Sequence, residues 1–255
     1  MPSILIFDSG IGGLSILQHI NQLPLPLETH YVADYAAYPY GEKEENWLIQ
    51  RINKLIINLE RNIKPDIIII ACNTASTLAL PSLRSQLSTP IVGVIPAVKT
   101  ASTLSRNKKI GLLATPGTVS RIYMDNLIEE FASDCTVTRV GSTELVAIAE
   151  NKLTGHHIDS LSLQKIIQPF IDNQCDQVVL GCTHFPLLKQ DLLALNTNIS
   201  FVDSGLAIAK RTSHILSKNP FQTTISNSIF YSTKTINPRL KNNLKDAGFK
   251  QFKEM

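Results

Sequence analysis

The chain lacks any long apolar run. Its longest, such as Ile67 to Cys72, fall far short of the roughly 20 residues that cross a bilayer. After Met1-Pro2-Ser3 it enters Ile4-Leu5-Ile6-Phe7 directly. That run is too short for the core of a secretory signal and has no basic flank, so no export segment is expected. There is little excess of either charge: 24 Lys+Arg against 21 Asp+Glu leave a net +3. The densest basic stretch, Lys234 to Lys253, alternates with Asn, Asp and Phe. It reads as the solvated face of terminal helices, and neither a nucleic acid nor a membrane is an expected partner. Cysteine is scarce, four in 255 residues, which argues against a disulfide scaffold and for free thiols in a reducing, cytoplasmic compartment. No linker is rich in Gly or Ser, so any domains are closely coupled. The 44% hydrophobic and 18% charged content excludes a disordered chain.

What is present is a series of short apolar runs separated by helical stretches, the pattern of a parallel sheet covered on both faces. The first four candidate strands are Ile4–Phe7, His30–Ala33, Ile67–Ala71 and Ile91–Val94. Four more are Ile110–Leu113, Val137–Val140, Val178–Gly181 and Ser200–Val202. The second set trails the first by 106, 107, 111 and 109 residues, a nearly constant offset that indicates a duplicated unit. The repeat is sharpest where Asp66-Ile-Ile-Ile-Ile-Ala-Cys72-Asn73-Thr74 parallels Asp176-Gln-Val-Val-Leu-Gly-Cys182-Thr183-His184. The expected fold is therefore α/β, with two similar parallel-sheet domains related by a pseudo-twofold axis and an active site between them. After Val202 come a helical stretch from Gly205, a short strand at Ser228–Tyr231 and a last helix. This tail is expected to return to the first half, giving domains of 1–97 with 207–255 and of 98–206.

Ligands of open parallel sheets bind beyond the carboxyl ends of the strands, where both repeated cysteines lie. A lone cysteine is usually a small buried hydrophobe, but two at equivalent strand ends, each followed by hydrogen-bonding residues, point to chemistry. Cys72 with Cys182 and His184 offers three metal ligands, yet the spacing is unlike common zinc patterns, and no metal is expected. Cys135 and Cys175 have no such company and read as structural. A thiol acts as a base only when ionised. A helix N-terminus after each strand would favour the thiolate, as would neighbours such as Asp8 and His184. Asp8, in Asp8-Ser9-Gly10, also suits a turn or helix cap, and His184, before Phe185-Pro186, also suits a cap.

Ser9-Gly10-Ile11-Gly12-Gly13 lacks the full G-x-G-x-x-G and is followed by no Walker lysine, so nucleotide binding has little support. A glycine turn opening a helix still offers N–H groups to a carboxylate. Tyr38-Pro39-Tyr40-Gly41 supplies a sharp turn with an N–H donor, or is simply a loop. Thr115 and Gly117-Thr118 end the fifth strand with hydroxyls suited to a substrate or to a turn. Of Glu144 and Glu150, spacing does not choose which reaches a site.

Taken together these residues resemble the glutamate racemases of the aspartate/glutamate racemase superfamily over nearly the whole chain. The matching segments are Phe7-Asp8-Ser9-Gly10-Ile11-Gly12-Gly13, Asp34 with Pro39-Tyr40-Gly41, Ala71-Cys72-Asn73-Thr74-Ala75-Ser76, Gly117-Thr118 and Leu180-Gly181-Cys182-Thr183-His184-Phe185-Pro186. The resemblance implies cofactor-independent racemisation of glutamate, supplying D-glutamate for peptidoglycan. It implies Cys72 and Cys182 as the acid/base thiols, Asp8 and His184 as their partners, and Glu150 as the acidic residue near the second cysteine. Ser9, Tyr40, Gly41, Asn73, Thr74 and Thr183, with Thr115 and Thr118, take the place of substrate contacts. A homodimer is an assembly open to such a protein, although the sequence carries no mark of one. The family often has Cys-Pro before its Leu-Val-x-Leu-x-Glu stretch, where this chain has Gly141-Ser142-Thr143; Glu150 is retained. The rival readings are aspartate racemisation, a one-cysteine decarboxylase or isomerase, and a binding module whose cysteines are core residues.

Overall fold

A computed structural model describes residues 1–195, 198–217 and 227–255. In chain order the elements begin β1 (Ser3–Asp8), α1 (Leu14–Ile20), β2 (Glu28–Ala33), α2 (Glu45–Ile63), β3 (Ile67–Ile70), α3 (Asn73–Gln86) and β4 (Ile91–Gly93). There follow α4 (Val98–Leu104), β5 (Lys109–Ala114), α5 (Pro116–Val119), α6 (Ile122–Ala132), β6 (Thr136–Gly141), α7 (Glu144–Leu153) and α8 (Ser160–Asp172). Then come β7 (Gln177–Leu180), α9 (Lys189–Leu195), β8 (Ser200–Val202), α10 (Gly205–Leu216), β9 (Ser228–Ser232), α11 (Pro238–Asp246) and β10 (Gln251–Glu254). The chain divides into two compact units, Met1–Val94 with Gly205–Met255, and Ile95–Ser204.

The first unit holds a six-stranded parallel sheet in the order β10-β9-β2-β1-β3-β4. The Ile67–Ile70 run is wholly buried, as a central strand with helices on both faces requires. Ile68 and Ile70 pack with Leu48, Ile52, Ile56 and Leu59 of α2 and with Ala75, Ala79 and Leu83 of α3. On α2 those four residues recur at helical spacing and form one apolar stripe. Its first turn is closed by the Glu44 carboxylate, which accepts from the Asn46 and Trp47 N–H groups. Helix α10 packs on α1, β3 and β4.

The second unit holds a four-stranded parallel sheet in the order β6-β5-β7-β8. This repeats the β2-β1-β3-β4 order of the first, so the duplication seen in the sequence is also a duplication of topology. Val98, Ala101, Met124 and Leu127 of α4 and α6 cover one face, on Ile110, Leu112 and Val179. Gly111 leaves room for Phe170 of α8, since a Cβ there would lie 2.6 Å from the ring. The repeated aspartates do the same work in both units. Asp66 accepts from the Ser3 N–H at 2.8 Å; Asp176 accepts from the Ser105 hydroxyl and the Arg106 N–H, both at 2.7 Å. Each fastens chain at the amino end of its sheet, opposite the cysteine end.

All eight repeated strands occur near their expected positions. The tail holds the expected helix from Gly205 (α10), strand (β9) and last helix (α11), and adds an edge strand, β10, that was not expected. Gln-Phe-Lys-Glu has one apolar residue and no alternation to read, and its place is set by pairing with β9. Its charges suit an edge, where they discourage pairing with another chain. The basic stretch is therefore solvated along a helix and a strand.

The glycine loop after β1 is held closely. Tyr31 donates its hydroxyl to the Gly10 carbonyl at 2.9 Å, and a Cβ on Gly13 would lie 2.9 Å from both that hydroxyl and Ala71 Cβ. Gly13→Ala is expected to cost about 1–3 kcal/mol through overpacking, read as a lower midpoint in urea unfolding. An unchanged midpoint would show that the loop yields freely.

Candidate active site

In the first unit, β3 delivers Cys72 to the N-cap position of α3, a place where the helix dipole favours negative charge. The Cys72 thiol lies 3.8 Å from the Ser9 hydroxyl. Ser9 in turn donates to Asp8 Oδ1 at 3.3 Å, and the Gly10 N–H donates to the same oxygen at 2.9 Å. Asp8 therefore closes the turn after β1 and also forms the far end of a chain reaching Cys72 through Ser9. The Gly10 N–H, expected to be open to a ligand, is taken by Asp8. Asn73 and Thr74, at the start of α3, are buried. Among the described residues, Asn73 Oδ1 has no hydrogen-bond partner. A buried acceptor left unpaired is costly and suits a ligand donor.

Tyr40 lies with Gly41 in a short 3-10 turn, Tyr40–Glu42. Its hydroxyl does not face an open site; it donates to Asp34 Oδ2 at 2.7 Å. Burial first, and then the Asp34 carboxylate, push its pKa well above the ordinary tyrosine value, so it stays a donor. Among the described residues nothing takes the N–H groups of Tyr40 and Gly41, and these are what the turn can offer a carboxylate. Asp34 is completely buried and also accepts from Arg51 Nε and Nη2 at 2.6 Å each and from Thr233 Oγ1 at 2.7 Å.

In the second unit, Cys182 follows β7. No α-helix opens at it; a 3-10 turn, Phe185–Leu188, precedes α9. What stands beside the thiol is His184, with Nδ1 3.8 Å from Sγ and Nε2 2.8 Å from Glu150 Oε1. The His184 side chain is 3% exposed and that of Glu150 15%. Burial opposes the imidazolium, but hydrogen bonds to Cys182 and Glu150 outweigh it and hold His184 well above the ordinary histidine value. A cation beside a thiol favours the thiolate. Glu150 is thus the member of the acidic pair that reaches the station, while Glu144 lies exposed in the first turn of α7. Helix α7 holds the cysteine loop twice, since Lys152 donates to the Leu187 carbonyl at 3.0 Å and to Asp191 at 2.7 Å. Thr183 is buried next to Cys182. Thr115 and Thr118 have their hydroxyls 2.9 Å apart, both in buried side chains. Ser142, in the segment that departs from the family pattern, accepts from the Leu145 N–H at 3.0 Å and so ties down the first turn of α7.

All four cysteines are free thiols. Burial raises the pKa of Cys135 and of Cys175, the behaviour of structural thiols. No group of three or more His, Cys, Asp or Glu side chains placed to hold one metal ion is found among the described residues, and no described helix is long and apolar enough to cross a membrane.

Sequence reading passed over Arg51 and Thr233. Nothing in the α2 stripe marks Arg51, and Thr233 is 199 residues from Asp34. Only the parallel pairing of Ala33 with Ser232 makes Thr233 a neighbour.

Two α/β units, each with a thiol at the carboxyl end of its third strand, define the class. Residues 16–212 match the Asp/Glu/Hydantoin racemase family, and the chain belongs to that family: it is an amino-acid racemase. It is 44% identical to a glutamate racemase of Photorhabdus laumondii, covering 100% of this chain and 91% of that one. It is 45% identical to a glutamate racemase of Shewanella piezotolerans, covering 96% and 94%. Among solved structures, Escherichia coli glutamate racemase in complex with L-glutamate and the activator UDP-MurNAc-Ala superposes with a TM-score of 0.93. There the identity is 39%, over 100% of this chain and 98% of the other.

Proposed function

We propose that the protein interconverts L- and D-glutamate without a cofactor, with Cys72 and Cys182 exchanging the α-proton at opposite faces of the substrate carbon. The observation that carries this reading is the repetition of one thiol station at the end of β3 and of β7. Racemisation removes the α-proton from one face and returns a proton to the other, which one fixed base cannot easily do. One thiolate takes the proton while the other thiol donates, and the roles reverse for the other enantiomer. Ser9 and Asp8 serve Cys72; His184, oriented by Glu150, serves Cys182. Glutamate as the substrate is supported by the near-full-length similarity to glutamate racemases.

The substrate α-ammonium satisfies the unpaired Asn73 Oδ1. The N–H groups of Tyr40 and Gly41, with the hydroxyls of Thr74, Thr115, Thr118 and Thr183, bind its carboxylates, while Ser9, whose proton goes to Asp8, offers its oxygen to the ammonium. Donors aimed at the developing carbanion are worth about 3–4 kcal/mol each where one has been removed elsewhere. The product D-glutamate serves peptidoglycan synthesis in the cytoplasm, and a homodimer is the proposed assembly.

The test is incubation of the purified, reduced protein with D-glutamate and separately L-glutamate, without added cofactor, followed by circular dichroism, with aspartate alongside. Loss of optical activity from both glutamate enantiomers is expected. Activity on aspartate alone would overturn the substrate, and silence on both would overturn the reading.

A further inference from the structure

The buried Asp34 carboxylate accepts four side-chain hydrogen bonds, yet it has no part in proton transfer. Its Oδ2 accepts from the Tyr40 hydroxyl and from Arg51 Nε, and its Oδ1 from Arg51 Nη2 and Thr233 Oγ1. The two Arg51 bonds form the bidentate pairing that fixes a carboxylate in orientation as well as position. The Thr233 oxygen also accepts from the Ala36 N–H at 2.9 Å, so one hydroxyl bridges both ends of the turn that begins at Asp34. Thr233 comes from the returning tail, just beyond β9. Buried charge of this kind is weak evidence for stability; it is the four bonds to two oxygens that fix the carboxylate.

We infer that Arg51 and Thr233 are positioning residues for substrate capture: they fix Asp34, which tethers the Tyr40 hydroxyl and thereby holds the Tyr40–Gly41 N–H groups for a substrate carboxylate. This rests on the racemase reading above. It assigns the carboxyl-terminal tail a part in binding substrate, through a residue that touches none. It also explains a tyrosine whose hydroxyl faces away from the ligand it serves. The hydroxyl is the anchor, and the main chain is the binding group.

The test is a double-variant cycle on Thr233→Val and Tyr40→Phe, with Thr233→Ser as the conservative control. Removing Arg51 would strand a buried carboxylate and endanger folding; Thr233→Val removes one hydroxyl and is the milder probe. It should raise KM for glutamate about fivefold, the weight of one net hydrogen bond, with the loss in kcat/KM carried mainly by KM. Thr233→Ser should restore KM. The double variant should be no worse than Tyr40→Phe alone, because both act through one tether. Hydrogen exchange should quicken about tenfold across residues 38–43 in Thr233→Val. Additive effects on KM, or unchanged exchange across 38–43, would overturn the inference. The exchange measurement needs no turnover, so it decides the positioning role even if glutamate proves not to be the substrate.

Discussion

Cys72→Ala and Cys182→Ala should each lower kcat/KM for glutamate racemisation by about 10²–10⁴-fold, the range supplied by one positioned acid or base. The fall must be equal in both directions, because L- and D-glutamate have the same free energy and kcat/KM for the two is tied to an equilibrium constant of one. Each thiol is base for one enantiomer and acid for the other, so neither variant spares a direction. The surviving thiolate can still reach the proton on its own face. Each variant should therefore retain slow exchange of the α-proton with solvent in one enantiomer only, and the retained enantiomer should differ between the two. Proton NMR in deuterated buffer reads this directly. Full racemisation by either variant would contradict the two-base scheme, as would identical residual exchange in both.

The second large effect belongs to His184 and Glu150. His184→Asn should reduce kcat/KM about 10²-fold, since the thiol at Cys182 loses the cation beside it. The primary isotope effect on α-deuterated glutamate should rise for the enantiomer whose proton Cys182 takes and stay unchanged for the other. Glu150→Gln should act more mildly and visibly in the pH profile. In the native protein His184 titrates well above 6.5, held there against burial by Cys182 and Glu150. Its charge is therefore present through neutral pH and is lost only as pH rises through the raised value. The same holds for the stability it contributes. That contribution is complete below the unfolded histidine value and disappears as pH climbs through the folded one. Removing the Glu150 charge lowers the folded value, so the alkaline limb of kcat/KM should move to lower pH in Glu150→Gln. An alkaline limb at the native position would show that Glu150 does not govern His184.

The thiol stations were legible because their signals are local and written twice. An apolar strand, a small residue, cysteine and polar groups follow one another without a break, and the repeat lifts each cysteine above the buried-hydrophobe reading. The choice of Glu150 over Glu144 was not legible from spacing and came only through the family resemblance, since it depends on which face of α7 meets the loop bearing His184. The direction of the Tyr40 hydroxyl was hidden for a related reason. A tyrosine in a polar turn reads as a ligand contact, whereas its partner Asp34 lies six residues back and is completely buried. Thr233 was out of reach, because only the pairing of β9 with β2 brings it near. Strand β10 was missed because an edge strand with one apolar residue carries no periodicity. Apart from the Tyr40 hydroxyl, whose partner is near in sequence but hidden in the core, the missing quantity was a contact between elements distant in sequence.

The central claim is that two different groups handle the two faces of the α-carbon. It is tested most directly by the isotopic content of both enantiomers at early times, with protiated L-glutamate in deuterated buffer. The account predicts that newly formed D-glutamate carries deuterium at the α-carbon while the remaining L-glutamate keeps its proton, with the mirror result from D-glutamate. Product that retains the original proton, or substrate that gains deuterium as fast as product forms, would mean that one base serves both faces.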